Sequence, residues 1–159
     1  MQPSVLVRVL CSIQVFLVLF ILQLVGKPPS CLVNCFREGA SSNVFKFKNE
    51  KGTEIVIGTK NGSFITFDDI DLNGISNLSV AVTSVAERTA GGILEIHLDG
   101  VSGPKVGEGK VDKAETINIP IKAPGDNKLH KLFFVFKNPS AGPKPLFGIE
   151  WIKFDSAAM

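Results

Sequence analysis

The chain has 159 residues, of which 45% are hydrophobic and 20% are charged, a composition that excludes a disordered chain. Its 17 Lys and Arg residues nearly balance its 15 Asp and Glu residues, so the formal net charge of +2 indicates no nucleic acid partner. All three cysteines lie at or before position 35, so the rest of the chain can form no internal disulfide bond.

The N-terminal segment contains 18 consecutive uncharged residues, 9–26, behind the basic residue Arg8. This length lies between the ~7–15 residues of a signal-peptide centre and the ~17–25 residues of a membrane span. We therefore expect residues 1–26 to form a hydrophobic helix that is either a cleaved signal peptide or a membrane anchor. Both alternatives predict a secreted or extracytoplasmic protein. Residues 27–43 mix Pro, Ser, Gly and Asn and indicate a linker.

From residue 44 onward, short apolar runs alternate with turn residues. Apolar and polar residues alternate within most of these runs, which is typical of strands with one buried face, and Asn61-Gly62 is a strong hairpin signal. The pattern predicts an all-β, antiparallel sandwich over residues 44–155, with a loop at 68–74 and a tail at 156–159. The nine predicted strands are residues 44–47, 53–57, 63–67, 78–85, 93–98, 105–111, 116–121, 129–137 and 149–154.

Several stretches of the C-terminal part resemble family 6 carbohydrate-binding modules. Residues 91–99 (GGILEIHLD) are similar to the family's G-G-x-I-E-V-R-L-D strand, and residues 130–136 (HKLFFVF) to its H-D-L-Y-L-V-F strand. Further similarities are residues 61–65 (NGSFI) to N-G-D-Y-V, 103–111 (GPKVGEGKV) to G-x-x-L-G-x-x-x-V, and 147–154 (FGIEWIKF) to F-N-I-D-W-F-x-F. The resemblance implies a jelly-roll, galactose-binding-like fold and a non-catalytic module that binds a polysaccharide or oligosaccharide for targeting or adhesion.

The resemblance also implies where sugar would bind. The commonest family site lies in loops at one edge of the sandwich, where two aromatic rings clamp a sugar and an Asn binds its hydroxyls. The corresponding positions here are Gly58, the stretch 112–115 and Gly148, so all three side chains are absent. A second site, on the face of one sheet, cannot be placed from the sequence. If the edge site still binds, we expect a polar rim of Lys60, Asn61, Asp112, Lys113 and Phe147.

The resemblance further implies a structural calcium ion, because family members often hold one between carboxylates of the first and last strands. Glu150 stands at the last-strand position, with Glu50 or Glu54 as its counterpart, and oxygen ligands suit calcium. A solvated surface glutamate is the alternative for Glu150. We expect Trp151 to pack in the core. The two histidines, His97 and His130, are expected to have packing or turn roles.

No catalytic constellation is present. Glycoside hydrolysis requires two carboxylates facing across a cleft, and the chain lacks G-x-S-x-G, H-E-x-x-H and a phosphate-binding Gly-Lys-Ser. We therefore expect no enzyme activity from the chain itself, and the catalytic domain of a parent protein is a possible partner. The missing clamp residues leave one alternative open, a membrane-tethered sandwich that has lost sugar binding and contacts protein.

Overall fold

The computed structural model describes residues 39–85 and 87–156, which contain nine strands. None of the described residues belongs to a helix that could cross a membrane. The hydrophobic helix predicted within residues 1–26 lies outside the described residues, as do the signal-peptide and anchor roles assigned to it. The strands are β1 (Val44–Lys48), β2 (Glu54–Gly58), β3 (Phe64–Asp71), β4 (Ile75–Thr83), β5 (Gly92–Leu98), β6 (Lys105–Val111), β7 (Glu115–Pro120), β8 (Leu129–Lys137) and β9 (Phe147–Ser156).

The strands form two antiparallel sheets, which confirms the predicted β-sandwich. One sheet has five strands in the order β1-β2-β9-β4-β7, and the other has four in the order β3-β8-β5-β6. The core lies between them because strands β2 to β9 turn apolar side chains inward, whereas Phe45 and Phe47 of β1 are exposed. In β5, for example, Leu94, Ile96 and Leu98 belong to the core.

Strand β8 is one of the two inner strands of the four-stranded sheet, as the continuous apolar run at residues 132–136 predicts. It lies between β3 and β5 and contributes Leu132, Phe134 and Phe136 to the core, all at 0% exposure. The ring of Phe136 packs on that of Phe147, with centroids 4.8 Å apart. Val135, which alternates with these core residues and so points to the opposite face, is also buried.

The sandwich differs from the prediction at both ends of β3. Ala40 bridges Ile65, and the N–H of Ser41 donates to the carbonyl of Phe64 at 3.0 Å. Residues 39–41 are therefore part of the sandwich, and the predicted linker boundary at 43 is wrong. At its other end β3 continues to Asp71 through a bulge, so the loop predicted from residue 68 begins too early.

A second bulge changes the direction of Trp151. On β9, Ile149 pairs with Val82 and Trp151 pairs with Ala81, so Glu150 is one extra residue between them. The bulge keeps both Ile149 and Ile152 in the core and turns Trp151 to the outer face beside Ala81, where it is partly buried. The predicted core position of Trp151 is wrong because alternation from Ile149 fails at a bulge.

Candidate functional site

Core packing fills the first clamp position of the edge site. A Cβ at Gly58 would lie 2.4 Å from Cγ of Phe136 and 2.6 Å from its Cδ1. Phe136 has no room to move, since it is fully buried and packed on Phe147. The edge site therefore lacks the aromatic side chain at position 58, and it also lacks the space for one, because the ring of Phe136 occupies that space.

The third family position, Gly148, is restricted in a similar way. A Cβ there would lie 2.6 Å from Cγ2 of Ile55 and 2.7 Å from Cγ2 of Thr83. The neighbouring Phe147 has 0% of its surface exposed. The prediction of Phe147 as a rim residue is therefore wrong for its side chain, because this ring points inward and fills the core against Phe136.

Two loops at this end carry the four polar residues of the predicted rim. Lys60 and Asn61 lie between β2 and β3, and Asp112 and Lys113 lie between β6 and β7. All four residues are exposed. Asn61 has a structural contact, because its Oδ1 accepts a hydrogen bond from the backbone N–H of Asn138 at 3.0 Å.

Asn138 connects these loops through a third segment. Its side-chain amide donates to the carbonyl oxygens of Ala90 and Gly91, both at 3.2 Å, and Gly91 approaches the backbone carbonyl of Val111 closely. The structure therefore places both rim loops at the same end of the sandwich. The amide oxygen of Asn61 is used in holding this end together.

The charges of the second rim loop are paired locally. Asp112 Oδ2 lies 2.8 Å from Lys110 Nζ, and this hydrogen bond raises the pKa of Lys110. Lys113 Nζ lies 3.3 Å from Glu115 Oε2. Such exposed pairs are screened by water and are easily exchanged for other polar partners.

A second candidate lies on the outer face of the four-stranded sheet, hereafter the sheet face. The rings of Phe64 on β3 and Phe133 on β8 are partly exposed there, with centroids 5.6 Å apart and planes at 50°. Lys131 Nζ lies 5.9 Å from the centroid of the Phe133 ring and 2.8 Å from Asp68 Oδ1. These two rings provide an apolar platform with a cation at its border.

Polar groups stand next to this platform on β5. His97 pairs directly with Phe133, and Glu95 lies two residues further along the same face. The carboxylate of Glu95 is surrounded by His97 Nε2 at 3.2 Å, Lys105 Nζ at 3.6 Å and Lys137 Nζ at 4.0 Å. Aromatic rings beside a few fixed polar groups form the usual lining of a sugar site.

The ring of His97 is fixed from behind. Its Nδ1 lies 2.8 Å from the carbonyl oxygen of Gly103. Since a carbonyl can only accept, Nδ1 donates this bond and Nε2 points toward Glu95. Sequence reasoning missed this site, although the alternation of β5 already placed Glu95 and His97 on one face. The missing information was that β8 pairs with both β3 and β5.

The described residues do not complete a calcium site. Within 39–85 and 87–156, no three His, Cys, Asp or Glu side chains could hold a metal ion. Glu54, one proposed counterpart, lies 3.7 Å from Lys48 Nζ, and Glu50 is exposed in the β1–β2 turn. The part of Glu150 in calcium binding stays a prediction.

Comparisons with known proteins agree with this fold. The family profile for the carbohydrate binding module (family 6) matches residues 36–156. A Clostridium cellulolyticum family 6 module in complex with xylose is 22% identical, with a TM-score of 0.62 and coverage of 79% of this chain and 95% of that one. A β-1,3-glucan-binding family 6 module from Bacillus halodurans is 16% identical, with a TM-score of 0.64 and coverage of 79% and 94%.

A larger protein also contains a similar region. An arabinoxylan arabinofuranohydrolase from Bacillus subtilis, solved with cellotetraose, is 24% identical, with a TM-score of 0.59. The match covers 72% of this chain and 24% of that enzyme. No curated protein matches the chain.

These structural matches establish the fold, and the profile match, which spans most of the chain, establishes the family. The resemblance seen in the sequence is thereby confirmed, as are non-catalytic carbohydrate binding as the function and a sugar as the ligand class. Modules of this family are typically extracellular. The chain belongs to the family 6 carbohydrate-binding modules.

Proposed function

We propose that the chain binds a polysaccharide or oligosaccharide on the sheet face, with Phe64 and Phe133 as the platform. The observation that carries this proposal is the partly exposed ring pair, 5.6 Å between centroids, beside the oriented carboxylate of Glu95. The C–H face of a pyranose packs on such rings, and the hydroxyls at its edge bind carboxylate and imidazole groups. Glu95 would accept from two hydroxyls, and His97 would fix their orientation.

The charges of the sheet face support a neutral glycan as the ligand. Lys131 is paired with Asp68, Lys105 with Glu108, and Lys137 with Glu95. A surface whose cations already have carboxylate partners does not attract a polyanion strongly. Neutral sugars need hydrogen-bonding groups and an apolar face, and both are present here.

The edge loops are the second candidate site for the same function. Lys60, Asn61, Asp112 and Lys113 are exposed and could bind sugar hydroxyls without an aromatic clamp. The packing of Phe136 behind the first clamp position argues against tight binding there. This rim therefore remains a proposal of lower rank than the sheet face.

Matched variants of the two sites separate these possibilities. Binding of the full chain to a panel of neutral polysaccharides would be measured by affinity electrophoresis and isothermal titration calorimetry. We expect Phe133→Ala to weaken binding about 10-fold, since losing an aromatic contact with its buried area costs about 1.5 kcal/mol. Glu95→Gln is expected to weaken it by a similar factor, because hydrogen bonds to charged groups contribute about 1.5 kcal/mol or more.

The control variants are Lys60→Ala and Lys113→Ala in the edge loops. Retained affinity in both, together with loss in Phe133→Ala, is the expected result. The reverse pattern would move the site to the edge loops. A wild-type chain that no glycan of the panel retains would overturn sugar binding altogether.

We also propose that the chain acts outside the cytoplasm, directed there by residues 1–26, and that its partner is a catalytic domain in a parent protein. The similarity to one quarter of a Bacillus subtilis arabinofuranohydrolase supports the second point, because that module is part of a longer enzyme. The size of the native protein, measured by immunoblot with an antibody against the module, tests this. A band whose apparent mass is no greater than that of a 159-residue chain would contradict a fused catalytic domain.

A further inference from the structure

The geometry points to His130 as a positioning residue for the sheet face, which acts by fixing the turn that orients His97. This inference rests on the proposed sugar site. His130 is the second residue of β8 and is buried, so it does not lie on the platform. The proposed sugar contacts do not include it. Its role follows from a chain of contacts that ends at His97.

His130 is a buried imidazole held between two carboxylates. Its Nδ1 lies 2.8 Å from Oδ2 of Asp99, which is in the turn between β5 and β6. Its Nε2 lies 3.1 Å from Oδ1 of Asp126, which is in the loop between β7 and β8. One side chain therefore joins a strand, a turn and a loop at this end of the sandwich.

Both contacts require a proton on the imidazole. An ionised carboxylate can only accept hydrogen bonds, so each ring nitrogen of His130 must donate, which makes the ring an imidazolium. The hydrogen bonds to Asp99 and Asp126 raise the pKa of His130, and the same bonds lower the pKa of both aspartates. The raised value means that both hydrogen bonds are present at mildly acidic pH, and that one of them is lost as pH rises through the folded-state pKa of His130, since a neutral ring donates from one nitrogen only.

Two carboxylates of the neighbouring strand β3 have partners of their own. From β3, Asp68 is bound to Lys131, and Asp71 accepts from the backbone N–H of Asn73 at 2.9 Å. From the β7–β8 loop, Lys128 lies near Asp126 and adds to the lowering of its pKa. The titration of His130 therefore decides whether the ring holds both Asp99 and Asp126 or only one of them.

Asp99 in turn controls the β5–β6 turn. Its Oδ1 accepts from the backbone N–H of Lys131 at 3.0 Å, and its own N–H donates to the carbonyl of Lys131 at 2.7 Å. Asp99 has a φ of 57°, an uncommon backbone conformation for a residue with a side chain, and it is held there by these contacts. Without the bond to His130, the Asp99 carboxylate is held through Oδ1 alone, which loosens the turn.

The same turn carries the carbonyl that fixes His97. Gly103 closes the turn onto Gly100 at 3.0 Å and accepts from His97 Nδ1 at 2.8 Å. A Cβ at Gly103 would meet the carbonyl oxygen of Leu98 at van der Waals overlap, so the turn packs tightly on the end of β5. A shift of the turn therefore moves the acceptor that orients the His97 ring toward Glu95.

The test follows both histidines in the full chain by NMR and measures affinity for the glycan that the wild type binds. Between about pH 6 and pH 9, we expect the His130 ring to titrate with a midpoint above the ordinary value and the His97 signals to shift with the same midpoint. Sugar affinity is expected to fall about threefold or more over this range, as the platform loses an oriented group.

Asp126→Asn is the decisive variant, because it removes one carboxylate from His130 and leaves the sugar platform unchanged. We expect it to move the midpoints of the His130 titration, the His97 shift and the affinity profile together to lower pH. His130→Gln should remove the part of the His97 shift that follows the His130 midpoint. Glu87→Gln, an exposed carboxylate outside both sites, is the control and should change none of them.

Two results would overturn the inference. The first is a His97 shift or an affinity midpoint that stays unchanged in Asp126→Asn, which would assign the profile to His97 itself. The second is a set of His97 chemical shifts that do not change as His130 titrates. If the wild type bound no glycan, the coupling between the two rings would still be measured by NMR, so failure of the sugar site and failure of the positioning role are distinguishable.

Discussion

The closed edge site makes a quantitative prediction for Gly58. An alanine there would place its Cβ 2.4, 2.6 and 2.9 Å from three atoms of Phe136, all closer than ordinary carbon contacts. Phe136 is fully buried and packed on Phe147, so relief requires movement of two core rings. Overpacking of this kind costs about 1–3 kcal/mol, against a gain of about 0.4–1 kcal/mol from restricting the unfolded chain.

We therefore expect Gly58→Ala to lower the free energy of unfolding by about 1–2 kcal/mol, and Gly58→Tyr, which restores the family's aromatic residue, to lower it further. Urea denaturation followed by circular dichroism measures both. Gly100→Ala is the matched control, because its Cβ would meet its nearest neighbour at 3.8 Å, and its φ lies outside the strained positive range.

A rescue variant separates packing from backbone effects. Replacing the ring by a smaller side chain in Gly58→Ala/Phe136→Leu should recover part of the lost stability, which gives a favourable coupling energy in the double-mutant cycle. A Gly58→Ala protein as stable as the wild type would refute the reasoning, since the space at the clamp position would then be open. A Gly58→Tyr protein that gained sugar affinity would refute it as well.

Two further predictions concern the five-stranded sheet. Burial alone would raise the pKa of Asp155, but hydrogen bonds from Lys153 at 2.6 Å and Ser79 at 2.5 Å outweigh it and lower the pKa. The ionised carboxylate of Asp155 contributes about 1 kcal/mol to the free energy of unfolding at pH values above its unfolded-state pKa. This contribution is lost as pH falls through the lower folded-state pKa. Asp155→Asn should therefore reduce the pH dependence of stability between about pH 5 and pH 2. For calcium, we expect the ion to raise Tm and Glu150→Gln to remove that rise, since saturating to 100 times Kd adds about 2.7 kcal/mol. A wild-type melting curve that is identical in calcium and in chelator would contradict a site at Glu150.

The strands could be predicted from the sequence because alternation is a local signal. In β5, the sequence Ile93-Leu94-Glu95-Ile96-His97-Leu98 already separates a core face from an outer face, and the structure confirms both. The continuous run in β8 indicated a strand covered on both faces, which holds for its core face and for Val135 but not for the partly exposed Phe133. The glycine pair at residues 91–92 matches the family motif, and the structure shows why a glycine is needed at position 92. A Cβ at Gly92 would lie 2.3 Å from the carbonyl oxygen of Lys137.

The errors arose where a local pattern depends on a partner strand. The position of Trp151 between apolar neighbours, with its family counterpart, predicted a core residue, but the bulge at Glu150 is defined only by the pairing of β9 with β4. The start of the sandwich was placed too late because residues 39–41 have little strand character and are held by β3. The proposed sugar platform could not be found for the same reason, since Phe64 and Phe133 are adjacent only through sheet order.

The closed edge and the open platform have a common origin in β8. Side chains of successive residues in a strand point to opposite faces, so Phe134 and Phe136 enter the core while Phe133 faces outward. The inward Phe136 occupies the space behind Gly58, and the outward Phe133 forms the platform with Phe64. A sequence with aromatic residues on both faces of this strand therefore fills the space behind Gly58 on the inside and leaves an apolar surface, the proposed sugar platform, on the outside. Because the two effects come from different side chains, shortening Phe136 should relax the edge without removing the platform, and removing Phe133 should abolish the platform without opening the edge.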